Sequence, residues 1–202
     1  MTTQYPHIDI RGSTFLAGSP RDGAPSAMQS VDPTMLRVTY MEMQRPSPPP
    51  ALGTCLGVRP ERIAREALNR EAYLHLYRRV GEPLRWDQRL RMPEAGLTAL
   101  LAGGSLDIYV LRDVRGEALG FCEFDRRELP TVELKNFGLV PDAQGRRLGP
   151  WLLAVALLDQ WKSNPSRIWL HTDTWDHPAA VRAYERAGFR IYDVRDEPIG
   201  LP

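Results

Sequence analysis

Residues 131–153, TVELKNFGLVPDAQGRRLGPWLL, decide the fold. In the first part of this stretch the apolar residues Val132, Leu134 and Val140 occupy even positions, which is typical of a half-buried strand. A glycine-rich, cationic loop follows. Pro150 then suits the first turn of a helix, where its missing N–H is not needed. The stretch therefore predicts a strand, a tight turn and a helix.

Gly138 lies near the end of the predicted strand, where a glycine marks a bulge or a close approach to the backbone. The loop after it contains Gln144, Gly145, the arginine pair 146–147 and Gly149. A loop that ends at a helix N-terminus presents free backbone N–H groups and the positive end of the helix dipole, a combination that favours phosphate. The alternative is an ordinary strand–turn–helix connection with arginines in solvent. The loop matches neither a nucleoside-triphosphate loop nor a dinucleotide fingerprint.

A second strand and helix are predicted downstream. RIWLHTDT at residues 167–174 is rich in β-branched and aromatic residues, and AAVRAYERAGF at residues 179–189 reads as a helix. Asp176 or His177 is predicted to cap that helix, with Pro178 just inside it.

These two patterns resemble the GNAT (GCN5-related N-acetyltransferase) superfamily. The loop is similar to its pyrophosphate motif, Gln/Arg-x-x-Gly-x-Gly/Ala: Gln144 is first and Gly149 last, whereas Arg147 stands where the first glycine is expected. The downstream run is similar to the family's Asn-x-x-Ala-x-x-x-Tyr-x-x-x-Gly-Phe, with His177 replacing asparagine. The matching residues are Ala180, Tyr184, Gly188 and Phe189. More narrowly, the chain resembles a bacterial subgroup with an HT-x-T-x-DHP signature.

The resemblance implies one mixed α/β domain over residues 35–202. In the GNAT fold a mostly antiparallel N-terminal meander is followed by a parallel strand pair, with helices on both faces. Residues 1–34, rich in Gly, Pro, Ser and Asp, are predicted to form a flexible N-terminal extension.

The remaining elements follow from local patterns. Residues 36–43 predict a strand, and the proline-rich residues 46–53 an extended connector. The run at 61–81 predicts one amphipathic helix that ends at its glycine, and a shorter helix is predicted at 94–102. The stretches 105–113 and 118–127 predict an antiparallel hairpin that joins the strand at Thr131.

The resemblance also implies acetyl-CoA as cosubstrate, with no metal. The loop would hold the pyrophosphate, and the edge of the first strand would bond the pantetheine amides and polarise the thioester carbonyl with a backbone N–H. The predicted cofactor-binding residues are Phe137, Gly138, Leu139, Gln144, Gly145, Arg146, Arg147, Leu148, Gly149, His177 and Tyr184.

Two residues are predicted to be catalytic. Tyr184 matches the tyrosine that many GNAT members use as general acid, and a tyrosine pKa of about 10 keeps its proton available at neutral pH. The alternative is an aromatic packing residue. Glu133 has the spacing of the strand glutamate that relatives use as base. The alternative is a solvent-facing glutamate paired with Lys135 or a nearby arginine.

Further polar residues surround the predicted site. His171 and Asp173 alternate to one face of their strand, so they would lie near Glu133 if the two strands are neighbours. Their spacing does not predict a metal site. Between the first two strands of the family's fold, one side of the acceptor pocket would contain Arg79, Trp86, Asp87 and Arg89. The alternative is a core position for the tryptophan and solvated arginines.

Composition excludes other classes of protein. A formal net charge of +1 argues against nucleic-acid binding. Cys55 and Cys122 predict neither a disulfide framework nor a zinc site. The sequence shows neither a membrane span nor a secretion signal, so a cytoplasmic location is expected.

The predicted function is acetyl-CoA-dependent N-acetyl transfer to a primary amine of a small molecule, amino acid or peptide, by direct attack on the thioester. The alternative is a catalytically inactive GNAT-fold protein that binds coenzyme A as a sensor or partner. The resemblance also allows a homodimer.

Overall fold

The computed structural model describes residues 34–44 and 62–199, which all belong to the unit Pro33–Pro202. The predicted proline-rich connector and all but the last residue of the predicted N-terminal extension lie outside these ranges. The elements are β1 Met35–Met43, β2 Arg62–Arg65, α1 Arg70–Gly81, α2 Gln88–Arg91, α3 Glu94–Ala102, β3 Leu106–Arg112, β4 Ala118–Asp125, β5 Thr131–Leu139, α4 Leu148–Trp161, β6 Arg167–Asp173, α5 Ala180–Ala187 and β7 Arg190–Pro198.

The strands form one seven-stranded sheet in the order β2-β3-β4-β5-β6-β1-β7. Neighbouring strands are antiparallel except β5 and β6, which are parallel. The predicted hairpin, the meander into β5 and the parallel pair are therefore confirmed. Together they form the mixed α/β sheet that the resemblance implies.

The helices cover the two faces of the sheet. A Cβ atom at Gly138 of β5 would meet Val80 of α1, whereas one at Gly149 of α4 would meet the side chains of Phe137 and Leu139. Since consecutive residues of a strand point to opposite faces, α1 and α4 lie on opposite sides of β5. In the described part of the chain, no helix combines the length and hydropathy that crossing a membrane requires.

The predicted single helix over residues 61–81 is wrong in its first part. Arg62–Arg65 is a strand that pairs with the edge of β3, with Ile63 opposite Leu111. The helix begins at Arg70 because the side chain of Asn69 accepts a hydrogen bond from the backbone N–H of Ala72, at 2.9 Å. The predicted end of this helix at Gly81 is confirmed.

Strand β1 lies at the far side of the sheet from the meander. It pairs with β6 through Tyr40 opposite His171, and with β7 through Tyr40 opposite Asp193. β6 and β7 are joined through α5 but contact each other in the sheet only through β1. The N-terminal strand therefore holds the C-terminal strand in place.

We expect a protein that begins at residue 45 to lose cooperative folding. It lacks the strand between β6 and β7 and the buried side chains of Val38, Met41 and Met43, whose burial contributes roughly 5 kcal/mol or more. The check is a thermal unfolding curve, with a protein that begins at residue 34 as the control. An unchanged transition in the shorter protein would show that β1 is dispensable.

Candidate functional site

The strands β5 and β6 pair over only part of their lengths. Thr131, Val132 and Glu133 lie opposite Arg167, Ile168 and Trp169. Beyond this point β5 remains paired with β4, and β6 remains paired with β1. The two parallel strands therefore separate, and their facing edges leave an opening in the sheet.

A β-bulge explains why β5 turns away. Glu123 and Phe124 are adjacent on β4, but their partners on β5 are Asn136 and Leu134, so Lys135 is an extra residue. A bulge bends its strand and increases the local twist. At Gly138, where the sequence predicted a bulge or a close approach, the structure shows a close approach. A Cβ atom there would lie 2.5 Å from Cγ1 of Val80.

A cavity of about 740 Å³ lies beside the opening, between the end of β5, the following loop, α4 and α5. This volume is within the range of small-molecule sites. Its lining includes every predicted cofactor-binding residue except Arg146, namely Phe137, Gly138, Leu139, Gln144, Gly145, Arg147, Leu148, Gly149, His177 and Tyr184.

The loop before α4 has a left-handed backbone at two positions. Gly145 has a φ of 72° and Arg147 a φ of 58°. Arg147 is the residue immediately before α4, and no side chain caps this helix end. An L residue with a side chain pays about 1 kcal/mol or more for this conformation, which explains why the family motif has glycine there. The start of α4 therefore has backbone N–H groups without a side-chain cap, and its first residues, Leu148 and Gly149, line the cavity.

Tyr184 projects from α5 into a largely buried position at the cavity wall. Its ring packs against Phe137 and Phe189, with centroid distances of 5.9 and 6.0 Å. Burial, and then the nearby charge of Asp176, raise the pKa of Tyr184. Within the described residues no hydrogen bond occupies its hydroxyl. The residue is therefore both an aromatic packing residue and a protonated hydroxyl at the cavity.

The turn between β6 and α5 differs from the predicted helix cap. Asp176 accepts hydrogen bonds from Thr172 Oγ1 at 2.6 Å and from the indole N–H of Trp86 at 3.3 Å. His177 Nδ1 accepts from the backbone N–H of Ala179 at 3.1 Å, outside the helix. The cap position of α5 is Ala179, without a side-chain bond, because Asp176 is already occupied by β6 and Trp86.

The sequence missed several residues of the cavity wall. The sequence predicts Asp176 only as a cap and assigns no role to Arg182 and Arg186 on α5, but all three line the cavity. Their spacing of four residues places the two arginines on one helix face. This spacing is the sequence signal that could have predicted a shared position for them on the cavity wall.

Glu133 lies where β5 and β6 begin to separate, and its side chain is 15% exposed. Its Oε1 is 3.0 Å from Nζ of Lys135 and 3.4 Å from Nδ1 of His171. Burial raises the pKa of Glu133, but His171 and Lys135 together outweigh it and hold the pKa below its ordinary value. The carboxylate is therefore ionised at neutral pH. The predicted proximity of His171 is confirmed, and so is the alternative pairing with Lys135.

The residues predicted for the acceptor pocket do not line the large cavity. Trp86 packs against Tyr77 and Phe121, as expected for a core position. Arg89 is buried and bonded to Glu123, so it is not solvated. The guanidinium of Arg79 donates to the carbonyl of Ala118, and Asp87 pairs with Arg91.

No group of three potential ligands from His, Cys, Asp and Glu comes together within residues 34–44 and 62–199. The free thiol of Cys122 is buried on β4, and burial raises its pKa. At the opening, Glu133 is paired with Lys135 and His171. The chemistry that this arrangement can provide is therefore acid–base catalysis.

The comparisons with known proteins agree with the fold. The sequence model of the acetyltransferase (GNAT) family matches residues 65–189, which is more than half of the chain. No curated protein matches the sequence.

Solved structures with the same fold are distant in sequence. A tandem GNAT protein from the clavulanic acid biosynthesis pathway has a TM-score of 0.60 at 15% identity, covering 83% of this chain and 55% of that one. A GCN5-related N-acetyltransferase from Sphaerobacter thermophilus has a TM-score of 0.55 at 16% identity, covering 83% and 54%. This chain therefore spans about half the length of these structures. At such identities the likeness shows the fold.

Proposed function

Because the chain belongs to the acetyltransferase (GNAT) family, we propose that it is an acetyl-CoA-dependent N-acetyltransferase acting on a primary amine of a small molecule, amino acid or peptide. The observation that carries the proposal is the opening between β5 and β6 beside a cavity with Tyr184 in its wall. An amine and a thioester can meet at such an opening from opposite faces of the sheet.

The residues at the cavity suit coenzyme A. The uncapped N-terminus of α4, with Gly145 and the guanidinium of Arg147 beside it, would hold the pyrophosphate. The free edge of β5 from Phe137 to Leu139 would bond the pantetheine amides as an added strand. The apolar wall of α4 and α5 would cover the rest of the ligand.

The chain then provides three functions for acyl transfer. A backbone N–H of β5 would stabilise the oxyanion at the thioester carbonyl. Tyr184 would give its proton to the departing sulfur, for which its raised pKa keeps the hydroxyl protonated. Glu133, which is ionised and lies where β5 and β6 separate, would accept the proton of the incoming ammonium, either directly or through His171.

A coenzyme A-binding protein without turnover is the second candidate. Two departures from the family motifs allow it, namely Arg147 in place of a glycine and His177 in place of an asparagine, and both residues line the cavity. Tyr184 and Glu133 at the opening favour the enzyme.

Calorimetry with acetyl-CoA, followed by coenzyme A release with tyramine, tryptamine, spermidine, lysine and glycinamide, tests the proposal. Micromolar binding with release to at least one amine is expected. Binding without release to any of them supports the second candidate. Absence of binding overturns both.

Arg147→Gly should weaken acetyl-CoA binding by about three- to tenfold, because an exposed, charge-assisted contact to the pyrophosphate is lost. The free energy of unfolding should hardly change. Glycine adopts the positive φ of residue 147 without the strain that arginine has there, but it also gains more conformational entropy in the unfolded chain. Calorimetry and a thermal unfolding curve check the two expectations. Arg115→Gly, on the exposed turn between β3 and β4, is the control. Equal dissociation constants for wild type and Arg147→Gly would exclude a direct contact.

A further inference from the structure

His171 is fixed on three sides at the separation of β5 and β6. Its ring centroid lies 6.0 Å from that of Tyr40 on β1 and 6.2 Å from that of Trp169 on β6. Its Nδ1 is 3.4 Å from Oε1 of Glu133. Two rings and a carboxylate therefore hold the imidazole in one orientation.

The face of the sheet on which His171 lies follows from β1. Met43 of β1 accepts a hydrogen bond from the indole of Trp161 in α4, at 3.3 Å, so odd-numbered residues of β1 face α4. Tyr40 therefore points away from α4, and it lies opposite His171 in the ladder with the rings in contact. His171 is on the face opposite the large cavity.

The register of β5 and β6 places His171 at the opening between the two strands. The last paired residues are Glu133 and Trp169. Continuing this register by two residues brings His171 level with Lys135, the extra residue of the bulge. The imidazole therefore lies beside the first gap between the strands, on the β6 side of the opening.

The second ring nitrogen is available. Nδ1 is directed to Glu133, and among the described residues no hydrogen bond occupies Nε2. The side chain is 31% exposed, twice the 15% of Glu133. Glu133 is also shared between Lys135 and His171, and both partners hold its pKa down. The carboxylate is thus the less accessible of the two groups, and its oxygen is already shared between two partners.

We propose that His171 is the catalytic residue that takes the proton from the acceptor ammonium through Nε2, and that Glu133 is the positioning residue that orients it. This inference rests on the proposed function. It replaces direct proton removal by Glu133 with a Glu133–His171 pair on the face away from α4. Imidazoles are the commonest proton acceptors near neutral pH.

The step is balanced in protons and bonds. Nε2 of His171 accepts one proton from the ammonium and later releases it to solvent. The amine nitrogen forms a bond to the thioester carbonyl carbon, and the carbon–sulfur bond breaks. Tyr184 gives its proton to the sulfur and regains one from the nitrogen, which leaves a neutral amide and a thiol.

The test compares His171→Ala, His171→Gln and Glu133→Gln with wild type, in the full chain, using the fastest acceptor among the five amines named above. His171→Ala should lower kcat by about 10²-fold, with the acetyl-CoA dissociation constant unchanged. Added imidazole should restore part of the rate. Glu133→Gln should give a smaller loss that imidazole does not restore. His75→Ala, on the exposed side of α1, is the matched control and should keep the wild-type rate.

The rescue distinguishes a proton acceptor from a structural residue, because free imidazole cannot repair a folding defect. His171→Gln keeps the shape of the side chain and should be as slow as His171→Ala. Wild-type activity in either histidine variant, or slow variants without rescue, overturns the assignment and leaves the proposed function intact. A wild-type protein that acetylates none of the amines overturns the proposed function and the assignment together.

Discussion

Tyr184→Phe should lower kcat for acetyl transfer by about 10²-fold while acetyl-CoA binding stays within about twofold of wild type. The hydroxyl is the only group removed. Its role as proton donor to the sulfur belongs to the transition state, so its loss appears in kcat rather than in ground-state binding.

The structure makes this substitution a clean probe of the hydroxyl. The ring contacts of Tyr184 with Phe137 and Phe189 are kept by phenylalanine. No hydrogen bond of the hydroxyl within the described residues is broken, so the free energy of unfolding should change by less than about 1 kcal/mol. Because burial raises the pKa of Tyr184, the hydroxyl stays protonated through the alkaline range, and its ionisation should not limit the rate there.

Steady-state coenzyme A release and calorimetry on the same preparation check the expectation. Tyr109→Phe is the matched control. Tyr109 is another buried tyrosine, it donates to Asp159 at 2.7 Å, and it lies outside the cavity. That variant should lose about 1 kcal/mol of stability and keep its rate. If Tyr184→Phe turned over as fast as wild type, the sulfur would have to take its proton from another group.

The parts of the fold that sequence predicted correctly are those set by local patterns. The strand that became Thr131–Leu139 and the helix Leu148–Trp161 have clear periodicity and a glycine-rich turn between them. The same holds for the β3–β4 hairpin and for α3. In each case the signal lies within one element or between two elements that are consecutive in the chain, and tertiary contacts only reinforce it.

The error at Arg62–Arg65 has a nonlocal cause. These residues fit a helix as well as a strand by periodicity, but β3 would otherwise have an unpaired edge, and pairing with Ile63 satisfies its backbone groups. The position of β1 between β6 and β7 has a similar origin. Its strand character is visible in the sequence, whereas its partners are more than 120 residues away.

In the candidate site, too, local features could be predicted from the sequence and long-range contacts could not. The alternation of side chains assigns Glu133 and His171 each to one face of its strand. Whether the two side chains meet depends on β5 and β6 being parallel neighbours in the observed register, which local sequence does not reveal. The bond from Trp86 to Asp176 joins residues 90 positions apart. Such a contact has no periodic signal, so the core position of Trp86 could be predicted while its partner could not.

Glu123→Ala should be the most destabilising substitution of a polar residue in the described chain. Glu123 is fully buried on β4 and accepts hydrogen bonds from the hydroxyl of Tyr73 and the guanidinium of Arg89. Arg89 itself is only 7% exposed. Burial opposes its charge, but the attraction of Glu123 outweighs burial and raises the pKa of Arg89.

Removal of Glu123 leaves a buried guanidinium without its carboxylate, at a cost of about 3–5 kcal/mol. That is a large share of the roughly 5–15 kcal/mol that stabilises an ordinary domain. Urea unfolding monitored by tryptophan fluorescence checks this value. Glu66→Ala is the control, because its partner Arg112 is nearer the surface and can be hydrated.

A second variant separates the burial of charge from the loss of packing. In Glu123→Leu combined with Arg89→Met, both charges are replaced by apolar groups of similar volume. Only the hydroxyl of Tyr73 then remains without a partner. If the cost of Glu123→Ala comes from the stranded guanidinium, the double variant should recover most of the lost stability. Equal destabilisation of the two variants would instead assign the effect to packing between α1, α2 and β4, and the ion pair would then add little to the stability of this face.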